Sequence, residues 1–196
     1  VEIVNDFYLA GGTALALQYG HRESVDFDFF REQPFGVEVV LNALNEKTKT
    51  EVRVKQENTL LVLINDITCS FFRYPYPMLR QTLDFKKNVK LASTPDIAAM
   101  KISAMSIRGT KRDFVDLFFI CKREFRLSEV LQFYQKKFGQ WNDDMYHVYK
   151  SLTYFNDAEG DPMPVMFERT DWKEVKTFFQ NEFTQLMKNL KQGLKP

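Results

Sequence analysis

Cysteine and histidine are scarce in this chain, with two of each among 196 residues. Neither a disulfide framework nor a zinc site built on repeated Cys and His spacing can be assembled from so few. Cys69 and Cys121 each stand among apolar neighbours and read as reduced, buried thiols of a protein kept in a reducing compartment, the cytoplasm. An excess of one charge is also missing: 27 Lys and Arg face 26 Asp and Glu, for a formal net charge of +1. The chain as a whole exerts no electrostatic pull on nucleic acid or membrane, so any such partner must be met by a local patch. No apolar run approaches the ~20 residues that a bilayer span requires. The longest, Leu60 to Ile64, has the length of a strand, and no membrane partner is expected. Nothing local assembles a Ser-His-Asp or Cys-His set, which leaves a hydrolase without a nucleophile. Phenylalanine, by contrast, is abundant at 19 residues and predicts an aromatic core.

The pattern along the chain predicts an α+β protein: an N-terminal mixed β-sheet with flanking helices over residues 1–91, followed by a helical bundle over 92–196. Phe7 to Ala10 reads as a strand, Gly11 and Gly12 as a turn, and Thr13 to Tyr19 as a short helix closed by Gly20. Val25 to Phe30 alternates with period two, which places Asp26, Asp28 and Phe30 on one face and Val25, Phe27 and Phe29 on the other. A helix is expected over Val37 to Glu46 and a polar strand over Glu51 to Lys55. Thr59 to Ile64 and Ile67 to Arg73 form a hairpin hinged on Asn65 and Asp66. Helices then follow at Thr94 to Arg108, Lys111 to Arg123, from a Ser128 cap to Phe138, and from Asp143 or Asp144 to Phe155. The stretch NDAEGDPMPVMF reads as a loop, and Asp171 opens the last helix.

Two features carry chemistry. A glycine pair in front of a helix bares backbone N–H groups at the positive end of the helix dipole, an arrangement suited to phosphate. Asp26 and Asp28, roughly 7 Å apart by strand rise, are poor strand residues, and a divalent cation held with triphosphate oxygens would account for them. A solvated strand face carrying two acids is the alternative. Downstream, Lys101 and Arg108 share one helix face and Asp113 and Asp116 another, which suits either a cleft or an ordinary interhelical ion-pair set. Asp116, between Val115 and Leu117, is the aspartate expected to point inward.

GGTALAL followed by HRESVDFDFF resembles the AbiEii/AbiGii toxin family of nucleotidyltransferases, related in fold to the DNA polymerase β-type enzymes. KISAMSIRGTKRDFVDLFFI resembles the helical motif of that family, and FFRYPYP is similar to the strand that leaves its catalytic sheet. The resemblance implies that Gly11, Gly12 and Thr13 cradle nucleotide phosphates and that Asp26 and Asp28 bind Mg2+ or Mn2+. It further implies that Lys101 contacts the nucleotide and that Asp113 or Asp116 completes the catalytic set. Arg22, Ser24 and Arg108 are expected to assist nucleotide binding. One departure stands out: where related enzymes place a third carboxylate on a neighbouring strand, this chain has Ser70.

The expected activity is therefore metal-dependent transfer of NMP from an NTP to an RNA acceptor, tRNA among them, or to a protein, with a cognate antitoxin as partner. The alternative raised by Ser70 is a catalytically weak nucleotide-binding module that acts through protein–protein contacts. An RNA acceptor needs a basic surface, for which Lys111, Arg112, Lys122, Arg123, Arg126, Lys136 and Lys137 are the candidates.

Overall fold

A computed structural model describes residues 5–86, 89–140 and 144–192. The backbone divides into two compact units, Val1–Gln18 with Ser24–Ser93, and Tyr19–Glu23 with Thr94–Pro196. The chain has the α+β class expected of it, with a seven-stranded mixed sheet in the first unit and helices in the second.

The first unit begins with β1 (Tyr8–Ala10) and the helix α1 (Gly11–Tyr19), which starts two residues earlier than the sequence suggests. Next come β2 (Phe27–Arg31), α2 (Val37–Asn45), β3 (Thr50–Gln56), β4 (Thr59–Ile64) and β5 (Ile67–Arg73). Two short strands, β6 (Leu83–Asp84) and β7 (Lys90–Leu91), complete the sheet, in the order β3-β4-β5-β2-β1-β7-β6. Asn65 and Asp66, with φ of 50° and 64°, turn β4 into β5. A two-residue hairpin loop with both φ positive matches the twist of its strands, and Asn and Asp tolerate it. β7 lies parallel to β1, and the sequence pattern signals neither β7 nor β6. Two residues are too few to show a period.

β2 occupies the middle of the sheet. It runs antiparallel to β1 and parallel to β5, so Asp28 has Ala10 on one side and Ser70 on the other. The opposite face of the sheet is apolar: Phe7, Leu60, Val62, Cys69 and Phe71 pack with Val40 and Leu44 of α2, and Phe27 and Phe29 lie against them. Ring pairs such as Phe29–Phe71 at 5.1 Å and Phe7–Phe71 at 5.4 Å fill this layer. Period-two alternation thus sends aromatics into the core from one face of β2 and leaves Asp28 on the other.

The second unit is built from α3 (Thr94–Ile107), α4 (Lys111–Arg123), α5 (Leu127–Phe138), α6 (Met145–Ser151), the single turn α7 (Asn156–Glu159) and α8 (Trp172–Lys191). Its centre is again aromatic: Phe114 lies 5.4 Å from Phe179 and 5.1 Å from Phe155. Gly109, with φ of 48°, ends α3 and lets α4 follow after a break of a few residues. The N-cap of α5 is Arg126 and not Ser128, and the Arg126 amide is held by Glu129 Oε2 at 2.8 Å. That side chain completes the first turn whatever precedes it. Asp144 caps α6 by accepting from the His147 amide, and Asp143 lies outside the described residues. α6 ends at Ser151, short of Phe155, and α7 interrupts the stretch read as a loop. Asp171 caps α8 by accepting from the Glu174 amide at 2.8 Å, as the sequence suggests.

Candidate active site

The first unit gathers a glycine-started helix and a carboxylate around one turn. Gly11 adopts φ of 68°, a left-handed conformation that costs an L-residue roughly 1–2 kcal/mol. A Cβ built there would come within 3.2 Å of Asp28 Oδ2. The bare backbone at the start of α1 therefore lies directly beside the Asp28 carboxylate. Negative charge is favoured at this end of a helix, whose first-turn amides have no partner within the helix.

Asp26 lies just before β2 and is partly exposed, as is Asp28. The burial of the Cys69 thiol, followed by the charges of Asp28 and Asp26, pushes its pKa up to about 11. Thr13, read as part of a phosphate cradle, is only 4% exposed. Its Oγ1 donates to the Asp26 carbonyl and lies 2.8 Å from Ser24 Oγ, so its contacts fix the backbone that carries Asp26. Ser24 takes part in the same clasp.

A divalent cation is compatible with this set. Among the described residues no group of three or more His, Cys, Asp and Glu side chains is placed to share a metal. Mg2+ and its analogues, however, are commonly held by one or two carboxylates together with substrate phosphates. Two carboxylates beside a helix N-terminus fit that mode. Ser70, only 5% exposed and level with Asp28 on the parallel neighbour, adds a hydroxyl where a third acid would stand.

In the second unit the structure joins five residues of the sequence motifs, Arg22, Lys101, Arg108, Asp113 and Asp116, with two that the sequence does not single out, His21 and Thr110. Asp116 is fully buried and accepts from Arg22 Nε on Oδ1 and Arg22 Nη2 on Oδ2, both at 2.7 Å. Lys101 Nζ lies 2.7 Å from Asp116 Oδ2 and 2.9 Å from Asp113 Oδ1. His21 Nε2 stands 2.8 Å from Asp116 Oδ1. Thr110 Oγ1 donates to Asp113 Oδ2 at 2.6 Å, and Arg108 Nε approaches that oxygen at 3.6 Å while its side chain remains 67% exposed.

Burial raises the pKa of Asp116, but the Lys101 charge and the His21 and Arg22 hydrogen bonds outweigh it and hold the group well below the usual carboxylate range. Burial likewise works against charge on Lys101, and Asp116 and Asp113 more than offset it, so the ammonium is held more firmly than usual. Lys101 is thus a fixed positive charge and Asp116 a fixed negative one. Sequence alone suggests for His21 no more than a loop or helix-end position. Its side chain is fully buried, its Nδ1 meets no partner, and its ring lies 5.0 Å from Phe119. The sequence signal available is the pair itself, a histidine and an arginine together directly ahead of the acidic strand.

The proposed basic surface is smaller than the sequence suggests. Lys137 is fully buried against Asp96, and Lys111 is buried with its Nζ on the Asp161 carbonyl at 2.5 Å. Lys122 and Arg123 pair with Glu174 and Glu168. Arg112, Arg126 and Lys136 remain exposed. No described helix is long and apolar enough to cross a membrane.

A mixed sheet with a carboxylate on its central strand beside a glycine-started helix, and helices following, is a fold shared with nucleotidyltransferases. MenT4, the nucleotidyltransferase toxin Rv2826c from Mycobacterium tuberculosis H37Rv, superposes with a TM-score of 0.59 at 19% identity, over 93% of this chain and 76% of that one. The antibiotic-resistance factor ANT(2'')-Ia superposes with a TM-score of 0.53 at 14% identity, over 74% and 88%. The sequence goes further: the chain belongs to the family described as nucleotidyl transferase AbiEii toxin, type IV toxin–antitoxin system, matched over residues 2–76 and 66–195. A relative from Aquifex aeolicus (strain VF5), the uncharacterized protein aq_aa25, is 37% identical over 95% of this chain and 91% of its own length.

Proposed function

We propose that the protein is a metal-dependent nucleotidyltransferase that moves NMP from an NTP to an RNA acceptor, tRNA included, in the cytoplasm, where a cognate antitoxin opposes it. The observation that supports this reading is the approach of Gly11 to Asp28, with the start of α1 beside the Asp28 carboxylate. Asp26 and Asp28 would hold Mg2+ or Mn2+. When bound, the ion would neutralise triphosphate oxygens and polarise the α-phosphoryl group. The amides of Gly11 and Gly12 would take a phosphate, and Thr13 and Ser24 would hold Asp26 in place through its backbone. Arg108, exposed and only loosely tied to Asp113, is assigned to the nucleotide phosphates. Lys101 is assigned to the nucleotide as a standing positive charge, with Asp113 and Asp116 fixing its position.

Transfer of label from each α-labelled NTP to total RNA and to protein tests this, with wild type compared against Asp26→Ala/Asp28→Ala. Label on RNA from wild type alone is the expected result. Label on protein instead would move the acceptor class. Ser70 beside Asp28 supports a second reading, a catalytically weak module that binds nucleotide and acts through a protein partner. That reading predicts Mg2+-dependent NTP binding with no label transferred.

A further inference from the structure

Four hydrogen-bonding groups meet the Asp116 carboxylate. His21 Nε2 and Arg22 Nε converge on Oδ1, and Arg22 Nη2 and Lys101 Nζ on Oδ2, all at 2.7–2.8 Å. A carboxylate offers about four lone-pair sites, so this one has none left for an incoming hydroxyl. His21 and Asp116 are fully buried and Arg22 is 3% exposed. Arg22 is further fixed by donating from Nη1 to the Glu23 carbonyl at 2.8 Å.

The backbone of the same segment is also held. The Glu23 amide donates to the Val165 carbonyl at 2.8 Å, and the Phe167 and Glu168 amides donate to the His21 carbonyl at 2.9 and 3.2 Å. Residues 21–23 are thus fixed through both side chains and main chain. One residue further along, Ser24 enters the clasp with Thr13 that also grips the Asp26 carbonyl. The link between the two is short: Ser24 and Val25 alone lie between Glu23 and Asp26.

We infer that His21 and Arg22 are positioning residues for the metal-binding aspartates, and that Asp116 serves as their buried anchor and does not receive a proton from the acceptor. The inference rests on the proposed metal role of Asp26 and Asp28. A bidentate arginine fixes an orientation as well as a distance, which suits it to set the direction in which a chain leaves. His21 supplies the second constraint on Oδ1. Its other ring nitrogen, Nδ1, is buried and meets no partner, so Asp116 is the only hydrogen-bond partner of the ring among the described residues.

The test is Mn2+ affinity, read from the electron paramagnetic resonance signal of the ion alone and with each α,β-imido nucleoside triphosphate. Wild type is compared with His21→Gln, Arg22→Lys and Asp116→Asn. His21→Gln and Arg22→Lys each keep a donor in place and are the variants best suited to fold. Thermal unfolding is followed for all, and Lys137→Met serves as a destabilised control far along the chain. His21→Gln, Arg22→Lys and Asp116→Asn should each lose about 10-fold or more in Mn2+ affinity although none of the three residues is assigned to the metal, the usual effect of removing a group that orients a metal ligand. Arg22→Lys/Asp116→Asn should lose no more than either single change, and Lys137→Met should bind as wild type does.

Unchanged Mn2+ affinity in folded variants overturns the inference. So does an Asp116→Asn protein that binds Mn2+ normally yet transfers nothing, because that marks Asp116 as a reacting group. Failure of wild type itself to bind Mn2+ with any nucleotide overturns the metal reading of Asp26 and Asp28, and this inference with it.

Discussion

Lys137 Nζ stands 2.7 Å from Asp96 Oδ1, and neither side chain reaches solvent. Two opposite charges taken out of water together are tolerable, but removal of one leaves the other stranded. Lys137→Met is expected to cost about 3–5 kcal/mol in urea denaturation. The double change Lys137→Met/Asp96→Leu should recover much of that loss. Equal losses in the single and double variants would show that the pair contributes nothing beyond its two volumes.

Gly11 gives the second prediction. With φ of 68° and Asp28 Oδ2 within 3.2 Å of a would-be Cβ, Gly11→Ala meets both strain and crowding. The backbone term alone is about 1–2 kcal/mol. Urea denaturation should register that loss, and Mg2+-dependent NTP binding should weaken because the methyl group pushes against the carboxylate proposed to hold the metal. Wild-type binding in a folded Gly11→Ala protein would separate the glycine from the phosphate site.

Acid stability depends on Asp113 and Asp116. For both, burial opposes ionisation, and the Lys101 charge with local hydrogen bonds outweighs it, so their folded pKa values lie below the ordinary aspartate value of 3.8. A depressed acid stabilises the fold above its unfolded pKa, and that contribution is lost as pH falls through the folded one. Urea stability is therefore expected to decline as pH drops below about 4, near the unfolded carboxylate value. Lys101 has the opposite sign: its raised pKa gives a contribution that is full below 10.5 and lost as pH climbs further. Asp116→Asn should be less stable at neutral pH and show a shallower acid decline. An unchanged acid limb in that variant would count against the assignment.

Ser70 stands level with Asp28 and is nearly buried. In Ser70→Asp a third carboxylate would face two others across the strand pair, and their repulsion should lower the unfolding temperature in the presence of a chelator. Mn2+ should restore more stability to this variant than to wild type, since a ligand that binds only the folded state stabilises it by mass action. An equal Mn2+ effect in both proteins would place position 70 outside the metal's reach.

Local physics makes part of this protein legible in its sequence. Period-two alternation places Asp28 and Phe29 on opposite faces, Asn65 and Asp66 mark a turn that needs two positive φ values, and Gly11 and Gly109 mark places where a side chain is disfavoured. Each depends on a few consecutive residues, and each is found where expected. The paired motif around Lys101 and Asp116 is visible as well, together with the inward aim of Asp116. Two-residue strands such as β7 are not, because they exist only through pairing with a distant partner, β1.

Charge partners are the part that the sequence leaves open. Lys137 and Lys136 are adjacent on one helix, yet one is buried on Asp96 and the other is exposed; Arg22, read as a phosphate ligand, is closed around Asp116 94 positions away. A lysine or arginine reads the same in sequence whether it faces water or a buried acid, since its long stem can reach either. The tertiary structure decides between them, because the desolvation of a charge and the partner that offsets it are properties of the packed interior and not of the neighbouring residues.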